Sequence, residues 1–166
     1  IAVLYRTNAQ SRTLENEFRK AGIPYRIYGG TSFYQRKEIK DAIAYFRLVV
    51  NPYDVEALLR IINFPARGIG NTTLKKLNEF AYTRQIHLID VFNHLHDQQL
   101  NITSRTINQL NTFYQLIQSF VELSDTLDAY QFAEHVLKTS GVMTAAAMDL
   151  TPEGIDRMQN LQELLN

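Results

Sequence analysis

Apolar positions recur along most of this chain at three- and four-residue intervals, the spacing of one helix face. Val55, Leu58, Leu59 and Ile62 mark a helix over residues 54–62, and Leu74, Leu77, Phe80 and Ala81 a second one to about residue 83. Ile39, Ile43, Phe46 and Val49 line one face of residues 36–50, closed by Asn51-Pro52, since the residue before proline avoids the α region. Ser11 is a candidate N-cap for a helix through Leu14, Phe18 and Ala21, ended by Gly22 with Pro24 beyond. Residues 88–95 suit a short helix. Ser104 can cap a long one with Ile107, Leu110, Tyr114, Ile117 and Val121 inward. Residues 129–138 form another, stopped at Ser140-Gly141. Residues 143–148 are small and apolar without a clear assignment. Ile155, Met158, Leu161 and Leu165 give a final amphipathic helix.

A different pattern opens the chain. Residues 1–5 are a short apolar run, and residues 25–28 alternate Tyr, Arg, Ile, Tyr. With the helix between them they read as a β-α-β unit carrying a parallel pair of strands. Two strands cannot bury both faces of a sheet, so such a unit belongs to a larger α/β domain. Ile1 is not an initiator methionine, and the opening run enters without a cap or turn. The expectation is a piece excised from a longer protein.

The stretch Phe64-Pro65-Ala66-Arg67-Gly68-Ile69-Gly70 interrupts the helical periodicity most sharply. Pro65 and the two glycines stop one helix and force a tight hairpin before the next. Gly68 and Gly70 permit positive φ and close approach of bare backbone. Unpaired N–H groups of the turn and of the following first helical turn then favour an anion, and Lys75 and Lys76 add charge. This is a helix-hairpin-helix pattern, whose usual anion is a nucleic-acid phosphate. A capped corner between two helices with no ligand remains open on these residues alone.

Composition sharpens this only through charge. The formal net charge is zero, but residues 1–80 hold thirteen Lys and Arg against seven Asp and Glu, and residues 81–166 hold four against ten. A basic half carrying the hairpin, with Arg60, Arg67, Lys75 and Lys76 around it, fits phosphate contact. The acidic half offers no such place. The 166 residues suffice for one ordinary domain or two small ones. No cysteine is present, which excludes disulfides and thiolate metal sites and fits a cytoplasmic location. No apolar run reaches membrane-spanning length, and no signal-peptide pattern is seen.

Catalytic constellations are missing. There is no G-x-x-x-x-G-K-[ST] loop, and Gly29-Gly30 lacks the third glycine of a dinucleotide fingerprint. His87, His94, His96 and His135 have no carboxylate cluster to complete a metal set. The pairs Glu15/Glu17 and Glu153/Asp156 read as solvated helix positions. Lys138-Thr139-Ser140-Gly141 reads as a helix stop more readily than as a second hairpin. Arg6, Thr7 and Asn8, beyond the carboxyl end of the first strand, could hold backbone phosphates, or form a routine βα loop.

Three collinear segments add a resemblance: residues 1–12 (IAVLYRTNAQSR), 25–41 (YRIYGGTSFYQRKEIKD) and 63–73 (NFPARGIGNTT). Together they closely resemble superfamily 1A DNA helicases of the UvrD/PcrA/Rep type. The match is dense over residues 1–83 and looser afterwards, where it rests on the Lys138–Gly141 turn and Asn160-Leu161-Gln162-Glu163-Leu164. The resemblance implies a mainly α chain, with residues 1–36 a partial RecA-like motor segment (subdomain 2A) and residues 37–166 the helical 2B accessory subdomain. It implies single-strand contact by Arg6, Thr7 and Asn8, and a hinge at Phe33, Arg36, Lys37, Glu38 and Lys40. It also implies duplex contact by Arg67, Gly68, Ile69, Gly70, Thr72, Thr73, Lys75 and Lys76.

The parent would be an ATP-dependent 3′-to-5′ helicase using ATP and Mg2+. The phosphate-binding loop, acidic magnesium motif and arginine motif of that family are missing here, so the chain itself is expected to bind neither and to hydrolyse no ATP. Its implied partner is DNA at a single-strand/duplex junction, contacted without sequence preference. The alternative is a protein-interaction or autoinhibitory module working through the acidic half.

Overall fold

The computed structural model describes residues 2–5, 10–27 and 32–166. Eight α-helices are found among them: α1 (Ser11–Lys20), α2 (Lys37–Val50), α3 (Val55–Ile61), α4 (Asn71–Arg84), α5 (Ser104–Ser124), α6 (Ala129–Thr139), α7 (Val142–Ala147) and α8 (Pro152–Leu165). Short 3-10 turns stand at Phe33–Gln35, Leu88–His94 and Gln98–Leu100. Residues 88–95, expected as a helix, thus take the tighter 3-10 form. Residues 143–148 fall largely in α7.

The described residues contain no strand. Residues 2–5 and 23–27 lie outside regular structure, and no described segment offers either of them a ladder. The proposed single-strand contacts Arg6, Thr7 and Asn8 lie outside the described residues.

Local chemistry sets most helix ends. α1 closes in a Schellman motif: Ile23 N–H donates to Phe18 O (2.8 Å) and Gly22 N–H to Arg19 O (3.1 Å), with Gly22 at φ +66°. Its N-cap is Gln10 rather than Ser11, whose hydroxyl is used elsewhere. Asp54 caps α3 by accepting from Ala57 N–H. Thr103, one residue before the expected Ser104, caps α5. Asp128 and Thr151 cap α6 and α8.

The core is a single apolar cluster with α2 at its centre, flanked by α3, α5, α6 and α8. Tyr45, Leu48, Ala42 and Ile39 on α2 are fully buried, whereas Ile43 and Phe46 are only half-buried. α5 turns Leu110, Phe113, Ile117 and Phe120 inward, so Val121, expected inside, stays exposed. α8 buries Leu161 and leaves Ile155 outside. α5 is rotated slightly from the face inferred from sequence, turning the bulk of Phe113 and Phe120 inward beside α2, and α8 turns Gly154 and Asn160 inward with Leu161. The ring of Phe120 packs edge-on to Tyr45, with centroids 6.5 Å apart.

Candidate nucleic-acid interface

The loop between α3 and α4 is built around two polar side chains, exposed Asn63 and half-buried Arg67. Asn63 Oδ1 accepts from Arg67 N–H (2.8 Å) and Ile69 N–H (3.1 Å), curling the backbone over residues 63–69. The Phe64–Pro65 peptide is cis. Arg67 then folds its guanidinium under the loop. Nη1 donates to Ile61 O (3.0 Å) and Pro65 O (3.2 Å), and Nη2 to Tyr45 Oη (2.7 Å) and Ser140 O (3.1 Å). The guanidinium also lies 5.3 Å from the Phe113 ring centroid. Tyr45 passes its own hydrogen to Phe64 O (2.5 Å). Burial pushes the Tyr45 phenol above its ordinary range, against the neighbouring Arg67 charge and hydrogen bond.

The turn at Ser140-Gly141 therefore packs directly against the α3–α4 loop, and Arg67 pins the two together. Ile69 is 1% exposed and anchors the loop from below. Gly68 stands at φ +74°, and a Cβ there would lie 2.7 Å from Gln109 Nε2 on α5.

Gly70 differs from Gly68 and from its expected role. Its φ of −89° suits any residue, and a Cβ would meet nothing within 4 Å. It is the N-cap of α4, where no side chain caps the helix and no acid occupies the first turn. Asn71 and Thr72 are exposed, and Thr73 is half-buried. The N–H groups of this first turn have no helical acceptor, so the positive end of α4 faces outward beside a missing side chain.

The four cations expected around the hairpin are used unequally. Arg60 pairs with buried Asp41 at 2.7 Å, where burial raises the Asp41 carboxyl against the lowering pull of Arg60 and Lys37. Arg67 is committed inside the loop. Lys76 donates to Asn101 O. Lys75 alone of the four is exposed without a hydrogen-bond or ion-pair partner among the described residues.

A groove of about 710 Å³ opens beside the loop, lined by Arg67, Arg105, Asn108, Gln109 and Thr112. The last four lie on one face of α5, and sequence reasoning did not connect them to the hairpin. Their polar i, i+3, i+4, i+7 spacing was visible, but nothing local says that α5 passes under Gly68.

Three of the expected hinge residues, Phe33, Arg36 and Glu38, assemble elsewhere, where α1 meets α2 and α8. Phe33 is fully buried, with the guanidinium groups of Arg12 and Arg36 each 5.3 Å from its ring centroid. Arg36 donates to Asn160 Oδ1 and Ser11 Oγ, both at 2.7 Å, and Asn160 Nδ2 donates to Glu38 Oε1 (2.5 Å). Lys37 is exposed above the Phe64 ring, 5.3 Å from its centroid, and Lys40 is half-buried.

Glu15 corrects the reading of a solvated position: it is 2% exposed. Its carboxylate accepts from Ser11 Oγ (3.0 Å), Phe33 N–H (3.0 Å), Ser32 Oγ (2.5 Å) and Tyr25 Oη (3.4 Å). Burial pushes the Glu15 carboxyl up. The hydrogen bonds from Ser32, Phe33 and Ser11, with the Arg36 charge, outweigh that and hold it below its ordinary range.

A family model described as the UvrD-like helicase C-terminal domain matches residues 1–166. The chain is 36% identical over its full length to the ATP-dependent DNA helicase PcrA of Staphylococcus aureus strain Mu50, and 37% identical to that of Bacillus subtilis strain 168. The PcrA helicase of Staphylococcus epidermidis is 36% identical over the same span. The chain spans 22% of the length of these curated relatives.

Proposed function

Because this chain belongs to the UvrD-like helicase C-terminal domain family, we propose that it is the 2B accessory region of an ATP-dependent 3′-to-5′ DNA helicase with a leading piece of 2A. In this reading residues 1–36 belong to the motor and residues 37–166 to the accessory subdomain. The α3–α4 pair acts as a helix-hairpin-helix that holds the phosphate backbone of the duplex at a junction. Asn71, Thr72 and Thr73 would offer N–H groups and hydroxyls, and Lys75 a cation. Arg67 and Ile69 would shape the loop from inside, and Lys76 would brace α4 against residue 101. Arg6, Thr7 and Asn8 would meet the single strand.

The observation that carries this is Gly70. Neither its backbone conformation nor the space around it requires glycine. A glycine there does keep the first turn of α4 uncovered, as close approach of a phosphate requires.

The residues present do not fit a nucleotide or its magnesium. The chain has no phosphate-cradling loop, and the described residues hold no group of three or more metal-ligating side chains. No step of ATP hydrolysis is assigned to it.

The test is fluorescence anisotropy of a labelled junction across a salt series. Affinity should fall steeply with salt and ignore sequence, because phosphate contacts release counterions. Gly70→Leu projects a side chain into open space, so it should abolish binding while the thermal melt stays nearly unchanged. Salt-independent binding, strong sequence preference, or full affinity in that variant overturns the proposal. The acidic residues 81–166 support a second reading, a protein-interaction or autoinhibitory surface. There Gly70→Leu should leave partner affinity unchanged.

A further inference from the structure

The acidic half of the chain contains four basic side chains: Arg84, Arg105, Lys138 and Arg157. Three are neutralised locally, Arg84 by Asp97 and Lys138 by Glu134 at 2.8 Å each, and Arg157 by Asp149. Arg105 is exposed and has no hydrogen-bond or ion-pair partner among the described residues. It projects into the groove beside Gly68.

Its position in the helix is also unfavourable by itself. Thr103 is the N-cap of α5, so Arg105 sits in the first turn, which carries no acid. A cation there opposes the positive end of the helix dipole, where an anion would be stabilised. A local rule broken without an internal partner points to an external one.

The other lining residues say what kind. Asn108, Gln109 and Thr112 are neutral donors and acceptors, Arg67 forms the remaining wall, and no carboxylate lines the groove. Gln109 Nε2 lies against Gly68, so the groove continues directly from the loop of the proposed phosphate contact. Phosphate and sugar oxygens are the groups that neutral amides and a lone guanidinium hold without reading bases.

We infer that the face of α5 bearing Arg105, Asn108, Gln109 and Thr112 is a second contact line for the sugar-phosphate backbone of the same duplex, with Arg105 as its cation. This rests on the duplex-binding reading above and extends it across a helix from the acidic half. The chain then grips the duplex from two elements, the first turn of α4 and the face of α5.

The experiment measures anisotropy of a random-sequence duplex over a salt series with the parent chain, Arg105→Ala, Arg105→Lys, Asn108→Ala/Thr112→Ala and Lys75→Ala. Arg105→Ala should weaken binding about 5- to 10-fold at low salt and lower the slope of log affinity against log salt by about 1, one phosphate contact. Arg105→Lys should restore the slope. The Asn108/Thr112 variant should lose affinity at unchanged slope. Removing this cation relieves the helix dipole, so thermal melts of Arg105→Ala should match or exceed the parent.

If Arg105→Ala binds like the parent while Lys75→Ala is weakened, the α5 line is wrong and the α4 contact stands. If the parent chain does not bind the duplex, both fail. If Arg105→Ala loses capture of polyglutamate but not of duplex, the groove serves an acidic protein segment and the inference is overturned.

Discussion

Arg67, in the loop between α3 and α4, and Glu15, on α1, both turn a charged side chain into the protein, and they are stabilised by opposite means. Among the described residues no carboxylate pairs with Arg67. Its charge is spread over three carbonyl oxygens, one phenol and an aromatic face. Glu15 sits among hydroxyl and backbone donors with Arg36 close by. The Arg67 knot ties three loops and helices into one fixed turn. The Glu15 joint ties α1 and the Phe33 turn to α2 and α8 through a chain of side chains. The first is a rivet made of three backbone carbonyls and a phenol, none of which titrates in acid. The second depends on a carboxylate remaining ionised.

The largest expected effect comes from removing the rivet. Arg67→Ala should cost about 2 to 3 kcal/mol, since it leaves three part-buried carbonyl contacts and the Tyr45 hydroxyl without their donor. Arg67→Lys should recover little of this, because an ammonium cannot reproduce a planar fork reaching four acceptors. Denaturant melts at neutral pH check both. A lysine variant as stable as the parent would break the distinction drawn between the two sites.

Glu15→Gln should cost about 2 kcal/mol at neutral pH, where an ionised acceptor is replaced by an amide that turns an N–H group toward donors. Its pH dependence separates the joint from the rivet. The folded Glu15 carboxyl lies below its unfolded value, so its contribution is full above the ordinary glutamate range and disappears as pH falls through the lowered folded value. The gap between the parent and Glu15→Gln should therefore close in acid, while the gap between the parent and Arg67→Ala stays constant there.

The rivet has its own sensitivity at the other end of the scale. Tyr45 is raised by burial, so its neutral form is favoured on folding, and that contribution is full below the ordinary tyrosine range. It is lost as pH rises through the raised folded value, when the donor to Phe64 O disappears. Tyr45→Phe should cost about 1.5 kcal/mol at neutral pH. It should also flatten the alkaline limb of the stability profile without moving the acid limb.

The smallest effect tests the loop surface. Gly68→Ala should cost about 1 kcal/mol, because an alanine at φ +74° is strained in the left-handed region. Adding Gln109→Ala should not restore it, since the end of a flexible side chain can move aside and the backbone angle cannot. Recovery in the double variant would place the cost in the contact with α5 instead.

Sequence periodicity located seven of the eight described α-helices and the break between α3 and α4, because apolar spacing and the Pro65-to-Gly70 punctuation are local signals. It placed Gly68 in a left-handed turn but gave Gly70 the same reason, and backbone geometry alone separates the two. The inward faces of α5 and α8 came out slightly rotated. Overlapping apolar stripes such as Ile117/Val121 and Phe113/Ile117/Phe120 are distinguished only by which one a neighbour covers.

Charge was the least legible property. Glu15 has the sequence context of a solvated acid, and the partners that bury it lie 17 and 18 residues away at Ser32 and Phe33. Arg67, expected to face a ligand, is engaged within the protein for the same reason, while Arg105 stays exposed. By itself the sequence determined a helical chain, its family and the turn that interrupts it, since these follow from local periodicity, turn chemistry and collinear motifs. Tertiary structure decided which charges are satisfied inside and which remain exposed, because a side chain's partners depend on where distant elements pack.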